Sequence, residues 1–154
     1  AVGHALADIG EPVDGLRRDE IVLSIAEALA AVAGGTSGSA GKPRPAVDSA
    51  AIGRTRDVLS ASTDRPIDNA DLEAVSGLDR WTLARQFRTA YGTSPYRYFV
   101  MRRLDRVRRA IAEGSSLADA ALAAGFADQS HMTRHFTRAY GLPPGRWARL
   151  TARA

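Results

Sequence analysis

Cysteine is absent from all 154 residues, which removes disulfides, thiolate metal sites and thiol nucleophiles together. Histidine is scarce, and the three present are the only soft metal ligands left. No uninterrupted apolar run approaches the roughly 20 residues of a membrane span, and no tripartite signal-peptide pattern opens the chain. The expectation is a soluble, cytoplasmic protein without a membrane partner. No segment shows convincing strand alternation, so the expected class is all-α. What is present in quantity is hydrophobic residue, 45% of the chain, enough to bury a core.

Positive charge is unevenly placed. Residues 1–62 carry 6 basic and 8 acidic side chains and residues 63–154 carry 15 and 9, so the two segments hold −2 and +6. Nearly all of the basic excess is arginine, whose planar fork suits phosphate and guanine. A polyanion partner accounts for this pattern, since neutralising phosphates drives association. An arginine bias from a GC-rich genome on a solvated surface accounts for it equally, and composition leaves both readings open.

A near-repeat decides more. RQFRTAYGTSP, Arg85 to Pro95, returns as RHFTRAYGLPP, Arg134 to Pro144. Upstream, Gly77-Leu78 is matched by Gly125-Phe126, with one extra residue before the second helix, so the register moves from 48 to 49. Asp68 and Ser116 read as helix N-caps, and Asp71 and Asp119 stand where a carboxylate can reach back to the cap. Each copy is then cap, short helix, glycine turn, second helix and glycine stop, the grammar of a helix-turn-helix.

Around the copies, residues 1–15 have no period, and Ile21, Ile25, Ala28, Leu29 and Val32 form one stripe of a short amphipathic helix over about Asp19–Val32. Gly34–Pro45 reads as a flexible Gly/Ser/Pro linker. A helix follows over about Val47–Ala61, a long one runs from Pro95 to near Gly114, and a short one spans Pro144–Leu150. The long helix, at 1.5 Å per residue, spans roughly 25 Å, so that with the width of the motifs it could set the second helices of the copies near one duplex turn apart.

On a helical wheel Leu83, Phe87 and Ala90 make a buried stripe, and Trp81, Ala84, Arg85 and Arg88 face away. In the second copy Met132, Phe136 and Ala139 form the stripe, and Ser130, Thr133, Arg134 and Thr137 face out. A buried back and a polar front after a tight turn are what major-groove reading needs. Arg85 and Arg134 suit guanine edges or phosphates, and Arg88, a turn further from the helix start, suits phosphate. Trp81 and Ala84 suit a thymine methyl or a sugar, and Gln129, Ser130 and Thr133 offer hydrogen bonds. Solvated faces of a plain helical bundle would show the same periodicity, but Trp81 with Arg80 and Arg85 about it is costly to expose without a partner. Trp147 and Tyr98 read as core residues.

These residues resemble the AraC/XylS transcription regulators. The resemblance rests on GLDRWTLARQFRTAYGTSPYRY (77–98), on RRLDRVRRAI after it and on LADAALAAGFADQSHMTRHFTRAYGLPPGRW (117–147), and covers about residues 48–150. It implies two helix-turn-helix motifs, about 68–92 and 116–141, in homeodomain-like three-helix units joined by a linker helix at about 95–113. Residues 1–47 then form a separate N-terminal segment. It also implies base-facing residues at Arg80, Trp81, Ala84 and Arg85, then Gln129, Ser130, Thr133 and Arg134. Glu73 departs from the family's small alanine, Asn69 from an aliphatic residue and Ala120 from isoleucine.

The implied function is a sequence-specific, double-stranded-DNA-binding activator or repressor of transcription, without cofactor or catalytic residue, with RNA polymerase as a partner by resemblance. Only about 47 residues precede the matched part, too few for the family's usual sensor domain, so the chain looks like a C-terminal fragment or a truncated relative. The Asp19–Val32 helix is either a dimerisation element, with homodimerisation through it or through a missing domain, or a helix packing on its own domain. An enzyme is a rival through His131 and His135, an i,i+4 pair able to share a metal. The pair lacks the glutamate of a zinc-protease helix and any evident third ligand, so no metal is expected. A helical protein-interaction module is the other rival, although two separated copies are fewer than a solenoid needs.

Overall fold

The computed structural model describes residues 15–33 and 46–152. The irregular start and the Gly/Ser/Pro linker read from the sequence lie outside the described residues, except for Gly15. Eight helices are seen among the described residues: α1 Gly15–Ala33, α2 Ser49–Ala61, α3 Asn69–Ser76, α4 Arg80–Tyr91, α5 Pro95–Ala112, α6 Leu117–Ala123, α7 Gln129–Tyr140 and α8 Pro144–Thr151. No strand occurs among them, and none of these helices is long and apolar enough to cross a membrane.

The helices fall into two compact units. The first holds α1, the start of α2, α3, α4 and the first residues of α5. The second holds the rest of α2 and α5 with α6, α7 and α8.

In the first unit, Asp68 caps α3 by accepting from Asp71 N at 2.9 Å, and the Asp71 carboxylate accepts from Asp68 N at 3.3 Å, a complete capping box. Gly77 ends the helix at φ +74°, a left-handed conformation that costs glycine least. Leu72, Leu83 and Phe87 are buried with Ala51 and Ile52 of α2. Arg54 of α2 donates to the terminal carbonyls of α3, Val75 O at 2.9 Å and Ser76 O at 3.0 Å, a cation placed where the helix dipole is negative.

The first helix departs from expectation. It is already helical at Gly15, ahead of the expected start near Asp19, and Leu16 and Arg17 within that first turn are buried. Asp19 accepts from Asn69 Nδ2 at 2.7 Å, so the asparagine that replaces an aliphatic residue ties α1 to α3. The stripe read from the sequence points elsewhere: Ile25, Leu29 and Val32 are exposed, together with Val22. One face of α1 packs on its own unit, and the opposite face is exposed among the described residues.

The second unit is built on Leu104 and Val107 of α5, Ala120, Ala121 and Ala124 around α6, Phe126, and Met132 and Phe136 of α7. Trp147 of α8 packs on this cluster, its ring 5.9 Å from Phe136. Arg108 lies against both Tyr140 and Trp147, at 5.3 Å from each ring centre. Tyr98 is half-buried, its hydroxyl 3.1 Å from Ser60 Oγ.

Ser116 caps α6 by accepting from Asp119 N at 3.1 Å, but Asp119 returns to the serine hydroxyl at 2.6 Å and not to the backbone of the cap. The expected reach-back is thus made side chain to side chain, because the short serine offers its hydroxyl first.

Candidate nucleic-acid interface

The second helix of each motif presents its front through the way its start is held. For α4, Asp79 Oδ1 accepts from Trp81 N and Thr82 N, both at 3.1 Å, and Glu73 Oε1 accepts from Arg80 N at 2.7 Å. The glutamate that replaces a small alanine therefore closes the turn from the side of α3. Hydrogen bonding to Thr82, first through the hydroxyl and then through the backbone, holds the Asp79 carboxyl below its ordinary value, with Trp81 N–H and the Arg85 charge adding to it. For α7, Asp128 Oδ1 accepts from His131 N at 2.7 Å. Both helices stop at a left-handed glycine, Gly92 at φ +69° and Gly141 at φ +74°.

On α4 the structure leaves Arg80, Trp81 and Arg85 exposed and Ala84 and Arg88 half-buried. Trp81 retains 40% of its surface, with the Arg80 guanidinium 5.8 Å from its ring. Arg85 Nη2 donates to Thr82 Oγ1 at 3.4 Å, a long bond that leaves the guanidinium at the surface. On α7, Gln129, Ser130 and Arg134 are exposed and Thr133 and Thr137 half-buried. Each group shares one helix face, and each is backed by buried residues, Leu83 and Phe87 in one case, Met132 and Phe136 in the other.

Two parts of the expected buried stripes differ. Ala90 and Ala139 are exposed, each in the last turn of its helix, past the end of the packed core. In α4 the buried stripe takes in Gln86, whose Oε1 accepts from Asp48 N at 2.8 Å and so satisfies that otherwise open backbone donor beside α2.

Arg80 is more engaged than its place on the wheel suggested. Its guanidinium stands 3.8 Å from Asp19 of α1 and 4.0 Å from Glu73. Arg80 and Ala84 also border a small apolar crevice with Leu16, Asp19 and Leu23 of α1. No periodicity within α4 could have shown this, because the partner lies more than fifty residues upstream.

The basic excess is likewise not all available to a polyanion. Arg103 is buried, donates to Thr63 O at 3.2 Å and Arg65 O at 3.0 Å, and lies 4.2 Å over the Phe99 ring. Arg106 Nη1 donates to Thr63 Oγ1 at 3.2 Å. The signal for Arg103 would have been its register with Phe99 and Leu104 on the inner side of α5, which a charge count ignores.

His131 and His135 are half-buried and rest on Phe126, with ring centres at 5.5 and 5.9 Å. Among the described residues, no group of three or more His, Cys, Asp or Glu side chains could hold a metal ion.

A helix-turn-helix domain model matches residues 72–150. A protein of Streptomyces lividans described as an AraC-like transcription regulator is 34% identical over 77 residues, which are 49% of this chain and 25% of that protein. Among solved structures, an AraC-type regulator from Chromobacterium violaceum aligns with TM-score 0.59 at 25% identity, covering 65% of this chain and 89% of that one. The DNA-binding domain of the global transcriptional factor AdpA, in complex with a target DNA, aligns with TM-score 0.61 at 21% identity, covering 66% and 93%. The chain spans between about a quarter and a third of the length of the first curated relatives it matches.

Proposed function

The chain belongs to the AraC/XylS family of helix-turn-helix transcription regulators, and we propose that it binds duplex DNA sequence-specifically, reading major grooves with α4 and α7. The observation that carries this reading is the pair of matched helix fronts, Trp81, Ala84 and Arg85 on one and Ser130, Thr133 and Arg134 on the other, each over a buried back. Arg85 and Arg134 donate to base edges with Arg80 beside the first, Arg88 donates to phosphate, and Gln129, Ser130 and Thr133 read by short hydrogen bonds. The fronts differ in chemistry, apolar and cationic against hydroxyl and amide, so the two motifs supply separate parts of one asymmetric site within a DNA-binding region at about residues 48–150. That AdpA, similar in fold, is seen on a target DNA supports this use of the architecture.

Selection of bound duplexes from a random pool tests the reading, together with affinity at several salt concentrations. Binding should fall steeply with salt as counterions are released. Binding indifferent to sequence, or absent at low salt, would overturn it, and a selected site confined to a single major groove would overturn the two-part reading.

The regulator reading assigns no catalytic step, and a genomic target places its work in the cytoplasm, at the nucleoid of a bacterial cell. RNA polymerase is the further partner this role entails for activation. The exposed Val22, Ile25, Leu29 and Val32 recur at the alternating three- and four-residue spacing of a coiled-coil seam, and we assign that face to a second copy of the chain. Sedimentation of the protein with Leu29→Glu should then report monomers where the parent associates.

A further inference from the structure

We propose that His131 and His135 form an open two-histidine site for a divalent transition-metal ion of the copper, nickel and zinc class. The two residues are one turn apart on α7, and their Nε2 atoms stand 3.0 Å from each other. Two nitrogens each about 2.0–2.1 Å from one ion stand about 2.9–3.4 Å apart as the bond angle opens from a right angle to the tetrahedral value. The observed separation already lies in that range, toward the right-angle end that copper(II) and nickel(II) favour.

The rings are held in place before any metal arrives. Both rest on Phe126, His131 edge-on at 88° and His135 tilted at 37°, and their own centres are 4.8 Å apart. A ligand pair fixed in this way loses little side-chain freedom on chelation, the cost that makes most surface histidine pairs weak. Without metal, one Nε2–H donates to the other Nε2. Binding requires both Nε2 lone pairs, so that proton moves to Nδ1 of the same ring, and if one ring begins as imidazolium a proton leaves to solvent.

Among the described residues two ligands meet there, and no third His, Cys, Asp or Glu joins them. Water or an oxygen donor such as a phosphate would complete the coordination of an ion held by this pair. Such a two-ligand site does not need the third ligand whose lack left no metal expected from the sequence. Metal binding here does not depend on the proposed DNA reading, and its test contains no DNA.

The full chain is titrated with copper(II), then with nickel(II), above the ordinary imidazole pKa of about 6.5. Heat and the visible absorption of copper(II) are followed. One ion per chain is expected, with affinity falling as pH drops through the imidazole range. His131→Ala and His135→Ala should each lose at least the about tenfold that removal of even an outer partner costs, whereas His4→Gln, changing the third histidine, should leave the affinity unchanged. Copper(II) broadening of amide resonances in the parent protein should centre on α7, a readout that stands even where a variant folds poorly. Undiminished binding in both alanine variants, loss of binding in His4→Gln, broadening centred elsewhere or no binding at all would overturn the proposal.

Discussion

The two helix-turn-helix copies reach the same shape by different means, and their glycines show it best. Gly77 and Gly125 occupy matching positions with nearly equal backbone angles, φ +74° and +75°. A Cβ on Gly77 would meet nothing within 4 Å, whereas one on Gly125 would fall 2.8 Å from Thr63 O and 2.9 Å from Arg103 Nη2. In the first copy glycine is needed for its conformation alone. In the second it also makes room for a buried arginine that fastens the loop before α3. The copies likewise differ in how the second helix is started, with carboxylates of Glu73 and Asp79 on α4 and Asp128 on α7. Repetition in sequence therefore marks shape, while the surroundings of each copy determine which residues are indispensable to it.

The largest expected effect would break that comparison if it failed. Gly125→Ala combines left-handed strain with overlap against backbone and should destabilise by about 2–4 kcal/mol, whereas Gly77→Ala, with strain alone, should cost only about 1–2 kcal/mol. Urea unfolding of the two variants measures both, and equal losses would mean that the crowding at Gly125 relaxes without cost.

Next come the matched arginines. Arg85→Ala and Arg134→Ala should each weaken the selected duplex by about 1–3 kcal/mol and relax preference at one or two base pairs, different ones for the two copies. Trp81→Ala should likewise reduce discrimination, at a thymine-bearing position. Singly mismatched duplexes provide the measurement, and identical losses on every duplex would remove both arginines from base reading.

Arg88→Ala sharpens the contrast within one helix. Placed a turn beyond Arg85, it should weaken all duplexes alike and lower the slope of log affinity against log salt by roughly one unit. A sequence-dependent loss would move Arg88 from the groove wall to its floor.

The smallest effect separates the helix starts. With its folded pKa below the ordinary 3.8, the ionised Asp79 contributes stability that is present above that value and lost as pH falls through the folded pKa. Acid unfolding of Asp79→Asn should therefore lack part of the parent's loss of stability below about pH 4. Coincident acid transitions for the two proteins would show that the cap carboxylate is dispensable.

How much of this was legible beforehand depends on the range of the interaction. Local signals sufficed for Asp68, Gly77, Gly92 and Gly141, since a cap or a left-handed stop involves neighbours a few residues away. Period alone placed Trp81, Arg85, Ser130 and Arg134 on outward faces, because a helix with a buried back leaves its front no alternative. Ala90 and Ala139 escaped it, as periodicity cannot tell where a core ends.

The sequence by itself determined an all-α class with two like modules, the bounds of most helices and the side of each motif's second helix that faces outward. These follow from hydrogen bonding and hydrophobic spacing within one segment. Only the tertiary structure decided that Leu16 and Asp19 bring α1 onto the first module, that Arg80 is shared with Asp19 and Glu73, and that Arg103 is buried under Gly125. It also decided that His131 and His135 meet over Phe126. Most of these join residues tens of positions apart or across a turn, and a charge or a ring acquires its role there from what packs against it, which no local pattern records.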